Sequence, residues 1–376
     1  MTALEELVEL AEAPYNGAVK EWKEKGGKVV GFTCAYIPEE ILHAGGILPY
    51  RLSPTGCTET TEADAHMSHF NCTFARCCLQ LALKGDYDFL DGVVMMNSCD
   101  HIRRLYDNWK YAVGSPYMYF LSVPHRVDEG PEGWYKDEIT YFKESVEGAF
   151  GVNITEETLN SSIRAYNKTR ALLRKLYELG ERDKPPLKGS EMMIVLLAGL
   201  RMPREDYNQL LERLLSEVEK KEDVSDYQGR LMIMGGACDN PDFLHLIEDA
   251  GGLVVADTLC FGSRYFWSAV ETEGNAMTGL AKGYLNRPSC SRMTESQDER
   301  RDFARQMIER FKVDGVIYQR MKWCDLWGGE AFYVGERMKE MDLPLLVLER
   351  EYWLSGSEQL KTRVQALLEV IAGRRR

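Results

Sequence analysis

Short apolar or β-branched runs at residues 29–33, 47–52, 90–96 and 117–122 are bounded by turn residues, with helical periodicity between them at about 38–45, 68–84 and 102–112. Continuous apolar strands alternating with helices predict a parallel sheet covered on both faces. The same rhythm returns at 230–235, 252–256, 314–318 and 344–348, with helices expected near 241–250, 297–311, 330–341 and 357–371. From about 136 to 222, apolar residues instead recur at helical spacing, as in Leu172, Leu173, Leu176, Tyr177 and Leu179, then Leu210, Leu211, Leu214 and Leu215. Pro185-Pro186 and Met202-Pro203 break that stretch into separate helices. The expected architecture is α/β: two similar doubly wound parallel-sheet domains with a helical insertion. Its boundaries are an N-terminal domain over 1–135, a helical domain over 136–225 and a C-terminal domain over 226–376.

The two α/β units share more than rhythm. Asp91-Gly92-Val93-Val94 runs on to Cys99-Asp100, and Asp314-Gly315-Val316-Ile317 runs on to Cys324-Asp325. Upstream, Val29 to Thr33 leads through Cys34 to Pro38-Glu39-Glu40-Ile41-Leu42-His43, while Leu231 to Gly236 leads through Cys238 to Pro241-Asp242-Phe243-Leu244-His245. Cys57 and Cys260 follow the second strand of each unit. Ligands of open α/β sheets collect beyond the carboxyl ends of the strands. Two such edges facing each other form a cysteine-lined cleft. The glycine pairs Gly45-Gly46 and Gly251-Gly252 fall between helix and strand, where a helix C-cap explains them. No G-x-x-x-x-G-K-[ST] motif occurs, so the sequence carries no phosphate-binding loop of that type.

Charge narrows the function classes. A formal net charge of −13 argues against nucleic acid and anionic membranes as partners. No run of eighteen apolar residues and no basic leader followed by an apolar stretch is present, so a cytoplasmic location is expected. In that reducing compartment, ten cysteines point to metal or redox chemistry rather than a disulfide framework. Structural zinc sites use close pairs such as C-x2-C, which are absent. Cys72, Cys77 and Cys78 crowd one segment, but on a helix Cys72 and Cys78 lie on different faces from Cys77, so the three do not share one metal. Iron–sulfur ligation, which gathers thiolates from distant parts of a chain, suits the rest.

The segments Phe32-Thr33-Cys34-Ala35-Tyr36-Ile37-Pro38-Glu39-Glu40, Ala44-Gly45-Gly46-Ile47-Leu48-Pro49, Cys72-Thr73-Phe74-Ala75-Arg76, Ser98-Cys99-Asp100 with Arg103-Arg104-Leu105-Tyr106, Gly262-Ser263-Arg264 and Trp323-Cys324-Asp325 stand out together. In combination they resemble the 2-hydroxyacyl-CoA dehydratase and benzoyl-CoA reductase superfamily. The resemblance implies an iron–sulfur cluster between two α/β domains and an ATP-hydrolysing iron–sulfur activator protein that injects single electrons. It also implies a homodimer, or a heterodimer with a homologous subunit. Carried over residue by residue, the three ligands of a 4Fe-4S cluster fall on Cys72, Cys99 and Cys324, leaving one iron open for substrate. The surplus of Cys34, Cys57, Cys78, Cys238 and Cys260 departs from that pattern. The superfamily also contains proteins with an 8Fe-9S double cubane, and Cys34 and Cys260 are favoured here as additional ligands or neighbouring thiols.

Three readings of function follow. The leading one is a catalytic subunit that dehydrates or reduces a CoA thioester. The alternatives are a double-cubane reductase of small molecules and a non-catalytic electron-transfer subunit. His101, two residues after Cys99, is the candidate for tuning the cluster or donating a proton. His43 and His245 read as structural, and Arg103, Arg104 and Arg264 as solvated. Loops 53–67 and 260–292 carry no recognisable substrate code.

Overall fold

The computed structural model describes residues 1–127, 129–221, 223–354 and 356–374. The first sheet contains β1 (Lys28–Phe32), β2 (Ile47–Arg51), β3 (Gly92–Met96) and β4 (Tyr117–Leu121), all parallel, in the order β2-β1-β3-β4. The second contains β5 (Gly229–Gly235), β6 (Gly252–Asp257), β7 (Gly315–Met321) and β8 (Leu345–Arg350), parallel and in the equivalent order β6-β5-β7-β8. Every residue of β2, β3, β5 and β6 is buried, which is why these strands are apolar without alternation. In each sheet the order reverses between the first and third strands, and that switch point is where a doubly wound sheet opens a crevice.

Helices α1 (Ala3–Glu12) and α2 (Gly17–Glu24) open the chain, and the sequence reading did not anticipate them. The connections of the first unit are α3 (Glu39–Ala44), α4 (Thr73–Leu83) and α5 (Asp100–Ala112). Four long helices follow: α6 (Glu129–Phe150), α7 (Glu156–Glu178), α8 (Gly189–Gly199) and α9 (Arg204–Val218). The second unit carries α10 (Pro241–Asp249), α11 (Ser263–Phe266), α12 (Ala276–Leu285), α13 (Gln297–Arg310), α14 (Asp325–Glu340) and α15 (Ser357–Arg374). Two starts differ from expectation. Helix α4 begins at Thr73 rather than near 68, because Cys72 is extended (φ −61°, ψ 144°) and acts as the N-cap. Helix α14 begins at Asp325 rather than 330, with Cys324 as its extended N-cap. The glycine pairs end helices: Gly45 caps α3, and Gly46 and Gly251 have φ of +69° and +100°.

The halves interlock. Helix α12 lies against α6, and Leu280, Ala281 and Tyr284 share one core with Val30, Phe32, Ile41 and Phe142. Helix α1 covers α8 and α9, and α3 packs on α7. Beneath this junction, Glu39 and Glu40 are buried and paired with Arg204 (3.2 Å) and Arg170 (2.6 Å). Among the described residues, no helix is long and apolar enough to cross a membrane.

Candidate functional site

The carboxyl edges of the two sheets meet at a cavity enclosing about 880 Å³, part of it continuous with solvent. Its wall includes six of the ten cysteines: Cys34, Cys72, Cys99, Cys260, Cys290 and Cys324. Cys34 and Cys99 leave β1 and β3 on either side of the first sheet's switch point. Cys72, Cys99 and Cys324 are the extended N-caps of α4, α5 and α14. None forms a regular side-chain cap, but the N–H of Ala75, Ile102 and Trp327 respectively lies close enough to each sulfur to favour its thiolate. A helix N-terminus adds to that preference.

Cys260 and Cys290 are presented by loops with buried anchors. The Asp257 carboxylate accepts the N–H groups of Leu259 and Ser263, both at 2.8 Å, and the Tyr177 hydroxyl at 2.8 Å. That fixes the turn around Cys260, whose carbonyl accepts from Arg51 Nη1 at 2.6 Å. Arg300 Nη1 donates to the carbonyls of Met293 (2.7 Å), Ser296 (3.0 Å) and Cys290 (3.1 Å), and Cys290 N–H donates to the Tyr36 hydroxyl at 3.3 Å.

The six sulfurs form two adjoining groups, with Cys34 also near Cys99 and Cys290 near Cys324. Burial raises the Cys72 thiol well above its ordinary value, and the proximity of Cys99 and Cys324 raises it further. Burial likewise lifts Cys99 to about 12 and Cys324 to about 11. Cys34 is raised by burial and then by Cys260 and Cys290. Cys290 moves the other way: burial acts against its thiolate, but the Arg264 guanidinium and the Arg292 N–H outweigh it. Each triad, Cys72/Cys99/Cys324 and Cys34/Cys260/Cys290, draws on both halves of the chain.

Four buried arginines, Arg51, Arg264, Arg287 and Arg292, also line this wall. Buried Arg170 and Arg204 have glutamate partners, whereas these four have no ion-pair partner among the described residues. They donate instead to carbonyls such as Ser289, Ala35 and Pro124. Among the described residues, Arg264 Nε and Nη2, the Nε of the other three, and the hydroxyls of Thr33 and Ser98 have no hydrogen-bond partner. A buried guanidinium without a counter-charge is costly, so the wall is chemically matched to an anionic group.

His101 is buried on α5 behind the wall rather than on it. Its Nε2 donates to the Trp323 carbonyl (2.6 Å), and Nδ1 lies 3.1 Å from Asn71 Oδ1. It thereby ties together the residues that precede Cys324 and Cys72. His43 bonds Ser162 and Glu205, away from the cavity. Arg264, read from sequence as solvated, is buried against Trp327 with its guanidinium 5.3 Å from the ring centroid. Arg103 and Arg104 are exposed. Cys57, Cys77, Cys78 and Cys238 do not line the cavity. Sequence reasoning assigned Cys290 no role. Its one signal was its place before the helix leading to the third strand of its unit, which Cys72 shares. Among the described residues, no three His, Cys, Asp or Glu side chains are grouped so as to hold a single metal ion.

Residues 34–371 match the family model described as 2-hydroxyglutaryl-CoA dehydratase, D-component. The chain is 29% identical to a benzoyl-CoA reductase subunit of Thauera aromatica, over 88% of this chain and 87% of that one. It is 24% identical to the (R)-phenyllactyl-CoA dehydratase beta subunit of Clostridium sporogenes, over 96% and 97%. It is 25% identical to the (R)-2-hydroxyglutaryl-CoA dehydratase beta subunit of Acidaminococcus fermentans, over 86% of each. With the match running from the first cavity cysteine to the last helix, the chain belongs to the 2-hydroxyglutaryl-CoA dehydratase D-component family.

Proposed function

We propose that this chain is an iron–sulfur catalytic subunit that uses low-potential electrons from an ATP-hydrolysing activator to dehydrate or reduce a CoA thioester. The observation that carries the reading is the cavity wall: six thiols beside four buried arginines that lack carboxylate partners. Clusters need thiolates in an enclosed, partly apolar site, and their net negative charge is what unpaired guanidinium groups offset. Cys72, Cys99 and Cys324 would hold the catalytic iron, and bound iron would supply one-electron transfer and Lewis-acid binding of a carbonyl oxygen. The helix N-termini favour the thiolate form of these sulfurs and so offset part of the effect of burial. Arg51, Arg264, Arg287 and Arg292 balance the charge, and His101 keeps the three ligand segments in register. The names of the relatives support a thioester substrate and a sister subunit.

Cys290 favours a second reading. With Cys34 and Cys260 it completes a second triad, the number of thiolates a second cubane needs, and a double-cubane reductase of small molecules becomes its counterpart. Iron analysis of anaerobically prepared protein decides between them. About four irons per chain, unchanged in Cys34→Ala/Cys260→Ala/Cys290→Ala, leave the thioester reading standing; about eight falling towards four support the double cubane. Protein that takes up no iron, or keeps full iron in Cys72→Ser, Cys99→Ser and Cys324→Ser, refutes both.

A further inference from the structure

Beside the thiol cavity lies a second pocket, enclosing about 600 Å³, where α13 and α14 face each other. Arg264 and Trp327 line both spaces. On α14, Glu330, Tyr333, Val334, Arg337, Met338 and Met341 recur at helical spacing and so lie along one face. On α13, Arg300, Arg301, Ala304 and Arg305 do the same. We propose that this pocket binds a phosphorylated nucleoside, with its phosphates on the arginines and its base on the apolar side chains.

Charge and unsatisfied donors carry the argument. In a chain of net charge −13, five arginines (264, 300, 301, 305 and 337) line this pocket with one carboxylate among the described residues, Glu330, which Arg300 neutralises. Arg301, Arg305 and Arg337 pair with Asp298, Asp302 and Glu340, each three residues away on the same helix and exposed. Exposed pairs of this kind contribute little, and a phosphate matches the planar guanidinium fork better. Thr258 is 6% exposed and lines the pocket, yet its buried hydroxyl has no hydrogen-bond partner among the described residues, and neither has Arg300 Nε. A buried donor without a partner is costly, and a phosphate oxygen would satisfy it. The rest of the wall suits a base. Phe303, Val334, Met338 and Met341 supply apolar surface, and the Arg301 guanidinium stands 5.5 Å from the Tyr333 ring centroid, a cation–π arrangement that can extend over a planar heterocycle. A free nucleotide and the adenosine end of CoA offer this same chemistry; the second source rests on the thioester reading above.

The test is calorimetric titration of the full chain, prepared anaerobically with its cofactor, using adenosine 3′,5′-bisphosphate, ADP, CoA and inorganic phosphate as separate probes. A nucleotide is expected to bind at least about tenfold tighter than inorganic phosphate, because the base adds apolar burial. Thr258→Val is expected to weaken nucleotide binding about tenfold or more without lowering the thermal midpoint, since the hydroxyl it removes has no partner among the described residues. Arg301→Gln/Arg305→Gln is expected to weaken binding similarly and to reduce its salt dependence, with iron content unchanged. An azido derivative of the bisphosphate is expected to photolabel α13 or α14. Competition between CoA and the bisphosphate identifies a CoA thioester as the source. Nucleotide binding without CoA binding keeps the site and counts against the thioester reading. CoA binding that neither the bisphosphate nor the variants affect leaves that reading standing and overturns this site. Nucleotide bound no tighter than inorganic phosphate, or label found elsewhere, also overturns it. Photolabelling of the wild type decides the matter even where a variant fails to fold.

Discussion

Replacing Glu40 by Gln tests whether the buried ion pairs beneath the cavity hold the two halves together. Glu40 is fully buried, Arg170 is 5% exposed, and Arg170 Nη2 lies 2.6 Å from Glu40 Oε1, while Tyr284 on α12 donates to Oε2 at 2.6 Å. These contacts join α3 of the first unit, α7 of the helical region and α12 of the second. Removing one member of a buried pair strands the other charge and costs roughly 3–5 kcal/mol. Tyr284→Phe, which deletes a hydrogen bond to a charged group, should cost about 1.5–3 kcal/mol. Against a total stability of roughly 5–15 kcal/mol, the first loss is a large shift of the urea midpoint at constant slope. The double variant Glu40→Gln/Arg170→Met removes both charges and should recover most of the loss. A double variant as unstable as the sum of its single changes would show that the pair is not coupled and refute the reasoning. The pH dependence carries its own sign. Burial opposes the Glu40 charge, but Arg170 and Tyr284 outweigh it and hold the carboxyl below its ordinary 4.5. Its contribution is thus present above that value and lost as pH falls through the lower folded one. Glu39, which burial pushes up, has the opposite sign, so the Glu40→Gln difference curve isolates the acid-side loss.

Three further outcomes are expected. Gly262→Ala places a methyl group 2.1 Å from Asp257 Oδ1, displacing the carboxylate that shapes the Cys260 turn; it should cost about 1–3 kcal/mol, read from the thermal midpoint. Arg300→Lys keeps the charge but loses the planar fork that grips the Cys290 loop and Glu330, so Cys290 should alkylate faster in iron-free protein, and an unchanged rate would remove Arg300 from that role. Burial raises Glu248 to about 7 despite its bonds from Ser190. An acid whose folded value is raised favours the fold below that value, so stability should decline from about pH 4.5 to 7 by roughly 2 kcal/mol after allowance for partial exposure, and Glu248→Gln should flatten the curve.

The strands were legible because doubly covered parallel strands are apolar at every position, as in Val93-Val94-Met95-Met96 and Leu231-Met232-Ile233. Helix α12 was not legible, since Gly279 and Gly283 weaken its propensity. Packing requires them there: a Cβ at Gly279 would lie 2.5 Å from the Glu271 carbonyl, and one at Gly283 would lie 2.9 Å from Val270. Gly328-Gly329 hid the start of α14 in the same way, with Arg320 Nη1 2.9 Å from a Cβ at Gly328. Cys290 escaped because it follows no strand. Its place on the wall depends on Arg300 and Tyr36, contacts that no local pattern encodes.

The internal repeat explains why cysteines reach this edge but not which of them share a cavity. The third strands deliver both Cys99 and Cys324, and the segments leading to them deliver both Cys72 and Cys290. The first and second strands deliver one each, Cys34 and Cys260, while their counterparts Cys238 and Cys57 remain outside. Local charge accounts for part of the difference. Cys34 and Cys260 lie near Arg51 and Arg264, which have no ion-pair partner among the described residues. Cys57 lies beside the Lys84–Glu59 ion pair, whereas Cys238 lies beside Asp239 and Arg350, and Arg350 has no ion-pair partner among the described residues. Cationic charge without an ion-pair partner therefore separates Cys260 from its counterpart Cys57, while Cys238, beside the unpaired Arg350, stays outside the cavity by its position. Removing that charge should weaken cofactor binding before it disturbs the fold, and Arg264, positioned beside both Cys260 and Cys290, is where the effect should be largest.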